Sequence, residues 1–134
     1  MILVTGIAGY IGSHTAVALL QSGREIVGMD NFYNSSPSAL DAIKELTGKD
    51  FAFYNADLKD KESMRKIFTE NNIDAVIHFA GLKAVGESVE KPLMYYNNNI
   101  SGTVNLLELM EEYGTKRIVF SSSVLHMDVI VGDV

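Results

Sequence analysis

Three glycines stand at G-x-x-G-x-x-G spacing in Val4-Thr5-Gly6-Ile7-Ala8-Gly9-Tyr10-Ile11-Gly12-Ser13-His14, directly after the apolar run Ile2-Leu3-Val4. A turn of this kind holds a pyrophosphate with backbone rather than with side chains. Gly6 lets the chain leave a strand tightly, Gly9 removes a Cβ where backbone approaches phosphate, and Gly12 lets the next helix lie close to the sheet. That helix, starting near Tyr10 and Ile11, points open N–H groups and its positive dipole end at the anion. Downstream, Glu25-Ile26-Val27-Gly28-Met29 ends in Asp30-Asn31. Asp30 lies about 20 residues beyond the turn, where an acidic side chain receives the hydroxyls of an adenosine ribose. A carboxylate there repels a 2′-phosphate, which favours NAD over NADP.

Other chemically able residues follow further apolar runs: Asp57 and Leu58 after Phe51–Tyr54, then Phe79, Ala80 and Gly81 after Ala75–His78, then Ser121 after Arg117–Phe120. Asp57 serves either as a ligand residue or as the cap of the next helix. Lys83, in a glycine-flanked loop, is either a cation for phosphate or cofactor or a solvated lysine. Ser121-Ser122-Ser123 either terminates a strand or places a hydroxyl beside a nicotinamide or a substrate oxygen. His78, inside an apolar strand, reads as a hydrogen-bonded core histidine rather than a base. With His14 on a helix and His126 in the tail, the three histidines have no metal-ligand spacing, so no metal is expected.

The elements that must position these residues alternate between strand and helix. Strands are expected at Ile2–Val4, Glu25–Met29, Phe51–Tyr54, Ala75–Phe79 and Arg117–Phe120. Helices are expected at 10–22, 38–46 (capped by Ser38), 59–71 and 92–113. This order predicts an α/β fold: a Rossmann-like, doubly wound parallel sheet with strand order 3-2-1-4-5 and helices on both faces. Ligands of such sheets bind beyond the carboxyl ends of the strands, at the switch between strands 1 and 4. The long helix carries two apolar stripes at helical spacing: Tyr96, Ile100, Val104, Leu107 and Met110, and Tyr95, Gly102, Leu106, Leu109 and Tyr113. One can face the sheet; the other needs a later helix or a second subunit.

Composition narrows the function classes. The chain has 134 residues, enough for one domain, and a net charge of −6 without a basic cluster, which argues against nucleic acid as a partner. No run approaches the ~20 apolar residues of a membrane span. The absence of cysteine excludes disulfides. No signal peptide is expected before the first strand, and a cytoplasmic location fits these features.

The glycine turn Thr5–His14 resembles the cofactor loop of the extended short-chain dehydrogenases/reductases. The segment His78-Phe79-Ala80-Gly81-Leu82-Lys83-Ala84-Val85-Gly86-Glu87-Ser88, with Lys91-Pro92-Leu93, Tyr95-Tyr96, Asn98-Asn99 and Phe120-Ser121-Ser122-Ser123, closely resembles the UDP-glucose 4-epimerase family. The resemblance runs through residues 1–123 and implies a bound NAD. By it, Gly6, Gly9, Tyr10 and Ile11, with Gly12 beside them, hold the pyrophosphate, while Asp30, Asn31, Asn34 and Ser35 hold the adenosine ribose side. Asp57 and Leu58 frame the adenine. Phe79, Ala80, Gly81, Lys83, Asn98 and Ser121 complete the cofactor site, and Ser123 is the catalytic hydroxyl near the sugar O4.

The family interconverts UDP-galactose and UDP-glucose through a transient 4-keto sugar, with hydride leaving and returning at C4 and a tyrosinate taking the O4 proton. That tyrosine belongs to a Tyr-x-x-x-Lys motif, which this sequence lacks. The resemblance thus implies a truncated NAD-binding Rossmann domain over 1–123, an atypical tail over 124–134, no substrate domain, and no epimerase activity by the chain alone. The UDP-sugar is the partner of the full-length family enzyme. A homo-oligomer through the helix 92–113 is expected, with the stripe of Tyr95, Leu106, Leu109 and Tyr113 left exposed. Two alternatives are a non-catalytic NAD-binding module and part of another sugar-nucleotide dehydratase or reductase.

Overall fold

The computed structural model describes residues 1–32, 36–79, 101–121 and 128–133; for Ser121 and residues 128–133 only the backbone is considered. Along the chain lie β1 (Ile2–Thr5), α1 (Tyr10–Gln21), β2 (Ile26–Asp30), α2 (Ser38–Thr47), β3 (Ala52–Asn55), α3 (Lys61–Glu70), β4 (Ala75–His78), α4 (Gly102–Tyr113), β5 (Arg117–Ser121) and β6 (Asp128–Asp133). The sheet order is β3-β2-β1-β4-β5-β6, so the five parallel strands stand in the expected order 3-2-1-4-5. The tail adds what the sequence did not suggest. Asp128–Asp133 pairs antiparallel with β5, with an irregularity between Ile118 and Val119.

Strand alternation sends successive side chains to opposite faces, and each face carries its own core. Leu3, Val27, Met29 and Ile118 pack with Met64, Ile67, Leu106, Leu109 and Met110 under α3 and α4. Val4, Ile26 and Ile7 pack with Ala16, Leu20 and Ile43 under α1 and α2. All five residues of β2 are buried, as a strand covered on both faces requires. The register aligns Thr5 with Met29 and with His78, bringing the carboxyl ends of β1, β2 and β4 level.

Three expectations about the helices are corrected. Ser38 does not cap α2: it lies inside the helix, and Pro37 (φ −55°) holds the N-cap position without a side-chain cap. The cap of α3 is Asp60, whose Oδ1 accepts from the Ser63 amide at 3.3 Å, so this helix starts at Lys61 and Asp57 is not its cap. The third concerns the two apolar stripes of α4. Leu106 and Leu109, expected to be left exposed, are fully buried, while Val104 of the other stripe is 47% exposed. Gly102 decides the orientation: a Cβ there would stand 2.6 Å from Leu58 Cβ, so only a bare glycine lets this face seat against Leu58. Tyr113 stays exposed as expected, at 39%, and stacks on Phe68 at 5.8 Å. The part of the expected helix before residue 101, with Tyr95, Tyr96 and Ile100, lies outside the described residues.

Candidate nucleotide site at the carboxyl ends of β1, β2 and β4

The glycine turn is pinned to the neighbouring strand. The amides of Gly6 and Ile7 both donate to the Met29 carbonyl, at 2.9 and 3.3 Å, and Gly9 N donates to Gly6 O at 3.1 Å. Gly6 sits at φ 70°, which a residue with a Cβ rarely adopts. A Cβ at Gly12 would lie 2.1 Å from the Gly6 carbonyl oxygen, so α1 rests against the turn with no room to spare. Gly28 plays a similar part on β2: a Cβ there would meet Ile7 Cδ1 at 2.5 Å, and its absence lets Ile7 lie across the strand.

The start of α1 suits an anion. The helical ladder opens with Ser13 N donating to Gly9 O at 2.8 Å, leaving the amides of Tyr10, Ile11 and Gly12 at the open end of the helix. No acidic residue stands in the first turn and no side chain caps it. An open helix end of this kind accommodates the pyrophosphate of a dinucleotide. Tyr10 is 81% exposed, and its ring meets that of His14 at 4.6 Å in a tilted arrangement.

Asp30 closes the other side. It is 7% exposed, and its two oxygens are held by different segments: Oδ2 accepts from Ala8 N of the glycine turn at 3.0 Å, and Oδ1 from Phe32 N at 2.8 Å. Asn31 lies beside it, its Nδ2 donating to Asp57 Oδ2 at 3.1 Å, while Asp57 Oδ1 accepts from Lys59 N at 2.9 Å. The structure thus joins Asn31 and Asp57, the expected ribose and adenine residues. Leu58 is buried against Gly102, and its carbonyl accepts from Asn105 Nδ2 at 2.9 Å.

Beneath this surface runs a buried polar chain. Thr5 Oγ1 accepts from Phe79 N at 3.0 Å and meets His78 Nδ1 at 2.7 Å, and His78 Nε2 meets Thr103 Oγ1 at 3.3 Å. His78 is 5% exposed and meets Phe120 edge-on, the core histidine that the sequence suggested. Phe79 is packed against the α1–α2 core. Ser121 ends β5, its backbone paired with Asp128.

Of the expected site residues, Gly6, Gly9, Tyr10, Ile11, Gly12, Asp30, Asn31, Asp57, Leu58 and Phe79 gather at this edge of the sheet. Asn34, Ser35, Ala80, Gly81, Lys83, Asn98 and Ser123 lie outside the described residues. Sequence reasoning missed Thr5, Gly28, Phe32, Thr103 and Asn105. Of these, only Thr5 carried a sequence signal, as the polar residue that ends an apolar strand. Among the described residues no group of three His, Cys, Asp or Glu could hold a metal, and no helix is long and apolar enough to cross a membrane.

A parallel sheet in this order, with a glycine turn and an acidic strand tip at its switch point, defines a dinucleotide-type Rossmann fold. Residues 3–125 match the family described as GDP-mannose 4,6 dehydratase, and the chain belongs to that family. Curated proteins similar to this chain include UDP-glucose 4-epimerases. The UDP-glucose 4-epimerase of Bacillus subtilis (strain 168) is 66% identical over 122 residues, covering 91% of this chain and 36% of that protein. UDP-glucose 4-epimerase 2 of Arabidopsis thaliana is 59% identical over 125 residues, with the same two shares. The crystal structure of UDP-glucose 4-epimerase from Bifidobacterium longum in complex with NAD+ and UDP superposes with a TM-score of 0.88 at 51% identity, covering 90% of this chain and 36% of that one. The resemblance seen in the sequence is therefore to real relatives, and the chain spans about a third of their length.

Proposed function

We propose that the chain is the NAD-binding part of a UDP-glucose 4-epimerase, occupying residues 1–123, with 124–134 as a divergent tail. The observation that carries this reading is the Asp30 carboxylate, bound at once to the glycine turn and to the end of β2. Its partner Ala8 immediately precedes Gly9, the N-cap of an α1 that no side chain caps, so a pyrophosphate and an adenosine ribose are served together. In this reading Gly6, Gly9, Tyr10, Ile11 and Gly12 take the pyrophosphate through backbone. Asp30 and Asn31, with Asn34 and Ser35, take the adenosine ribose, and Asp57 and Leu58 border the adenine. Phe79, Ala80, Gly81, Lys83, Asn98 and Ser121 complete the cofactor site, and Ser123 supplies the catalytic hydroxyl.

Bound NAD supplies reversible hydride acceptance at sugar carbon 4. The residues of this chain orient it, exclude a 2′-phosphate and, at Ser123, hydrogen-bond the sugar O4. The base motif Tyr-x-x-x-Lys is not in this sequence, so the chain by itself binds cofactor without epimerising. The UDP-sugar is the partner of the whole enzyme. The helix 92–113 is proposed as a contact between copies; exposed Val104 supports this. The cysteine-free composition suits a cytoplasmic protein.

Calorimetric titration of the chain with NAD, and with NADP as control, tests the reading. Saturable NAD binding with much weaker NADP binding is expected. Equal binding of the two removes the role given to Asp30, and turnover of UDP-galactose by the pure chain in a coupled assay removes the claim of inactivity.

A further inference from the structure

We infer that Phe32 is a positioning residue for the Asp30 carboxylate: its left-handed backbone, anchored by its ring on Phe53, aims its amide at Oδ1 and fixes the face that Asp30 offers a ribose. The inference rests on the ribose reading above and deepens it. Among the described residues, Phe32 is the one non-glycine residue at positive φ, 58°. A side chain with a Cβ disfavours that region, so something must hold it there. The holder is the ring contact with Phe53, 5.4 Å between centroids at 34°. Phe53 lies on β3 in register with Gly28 of β2, so the anchor is the sheet itself.

The carboxylate is gripped at both oxygens. Ala8 N holds Oδ2 at 3.0 Å and Phe32 N holds Oδ1 at 2.8 Å. Hydrogen bonds to both oxygens, from two different segments, restrain rotation about Cβ–Cγ and help set its plane. Asp30 is 7% exposed, so that plane decides which lone pairs face outward.

The test compares Phe32→Ala, which keeps a Cβ but loses the ring, with Phe32→Gly, which loses the ring but adopts positive φ freely. Each variant and the wild-type chain are titrated with NAD and with an analogue whose adenosine ribose lacks its 2′-hydroxyl. Exchange of the Ala8 amide hydrogen is followed separately. Phe32→Ala is expected to weaken NAD binding about tenfold while leaving the deoxy analogue unchanged, as loss of an oriented charge-assisted hydrogen bond would do. Phe32→Gly is expected to fall between wild type and Phe32→Ala. Three results each overturn the inference: unchanged NAD binding by Phe32→Ala, a parallel loss for both dinucleotides, or Phe32→Gly as weak as Phe32→Ala. If the wild-type chain binds no NAD, the ribose reading fails and Ala8 exchange decides alone. Protection lost in Phe32→Ala and kept in Phe32→Gly upholds the grip, and equal protection in all three chains removes it.

Discussion

Gly12→Ala tests how α1 is seated on the glycine turn. The added Cβ would stand 2.1 Å from the Gly6 oxygen, 3.0 Å from the Gly6 carbonyl carbon and 3.2 Å from Ile7 Cα, all backbone atoms. Relaxed carbon contacts lie at about 3.5 Å or more, so the overlap with the oxygen exceeds roughly 1 Å. The turn cannot yield easily, because Gly6 and Ile7 are both bonded to Met29 and Gly9 to Gly6. Overpacking typically costs about 1–3 kcal/mol, and a backbone-on-backbone overlap belongs at the upper end. With a urea slope of about 1.5 kcal/mol per M, a loss of about 3 kcal/mol lowers the unfolding midpoint by about 2 M. Gly23→Ala is the control, since Gly23 has φ 87° and nothing within 4 Å of a Cβ. It incurs only left-handed strain, about 1–2 kcal/mol. NAD binding should fall in Gly12→Ala and persist in Gly23→Ala. A Gly12→Ala midpoint no lower than that of Gly23→Ala would refute the reasoning.

Thr5→Val removes the hydroxyl shared by His78 and Phe79 and should cost about 1–3 kcal/mol in urea, with Thr5→Ser recovering most of the loss. On α4, Leu106→Ala should cost about 2–5 kcal/mol, whereas Val104→Ala should stay within about 0.5 kcal/mol; the reverse order would mean that the wrong stripe has been placed in the core. Asp60 is held below its usual value of 3.8 mainly by the Ser63 hydroxyl and then by the Ser63 amide. Its contribution is therefore complete above that value and disappears as pH falls through the lowered one. Asp60→Asn should accordingly be less stable than wild type at pH 7, with the gap closing in acid. A gap that widens below pH 4 would contradict the cap.

The sheet order and the glycine turn were legible in the sequence because both rest on spacing. Gly6, Gly9 and Gly12 recur at fixed intervals, and the apolar strand runs at 26–29, 51–54 and 117–120 are bounded by polar residues. His78 was legible as a core residue because its neighbours are apolar. Local spacing does not carry information about what packs on what. Either stripe of α4 satisfied helical periodicity, and the structure buries parts of both, Leu106 and Leu109 of one and Met110 of the other, with Gly102 seated against Leu58. Ser38 and Asp57 were both plausible cap residues by type, but Pro37 occupies the N-cap position before Ser38, and Asp60 holds that of α3. Phe32 offered no signal, because nothing about a phenylalanine after Asp-Asn announces positive φ.

The pairing of β1 has a consequence for the order in which the molecule can assemble. The strand that leads the chain is flanked in the sheet by β2 on one side and β4 on the other, and Thr5 meets His78 across 73 residues. During synthesis the glycine turn can dock on Met29 early, while the opposite edge of β1 stays unpaired until β4 has emerged. Closing a contact of that separation is entropically slow. The half of the site built by β1 and β2 can therefore form long before the half contributed by Phe79, and slow refolding should report the joining of β4 rather than formation of the turn.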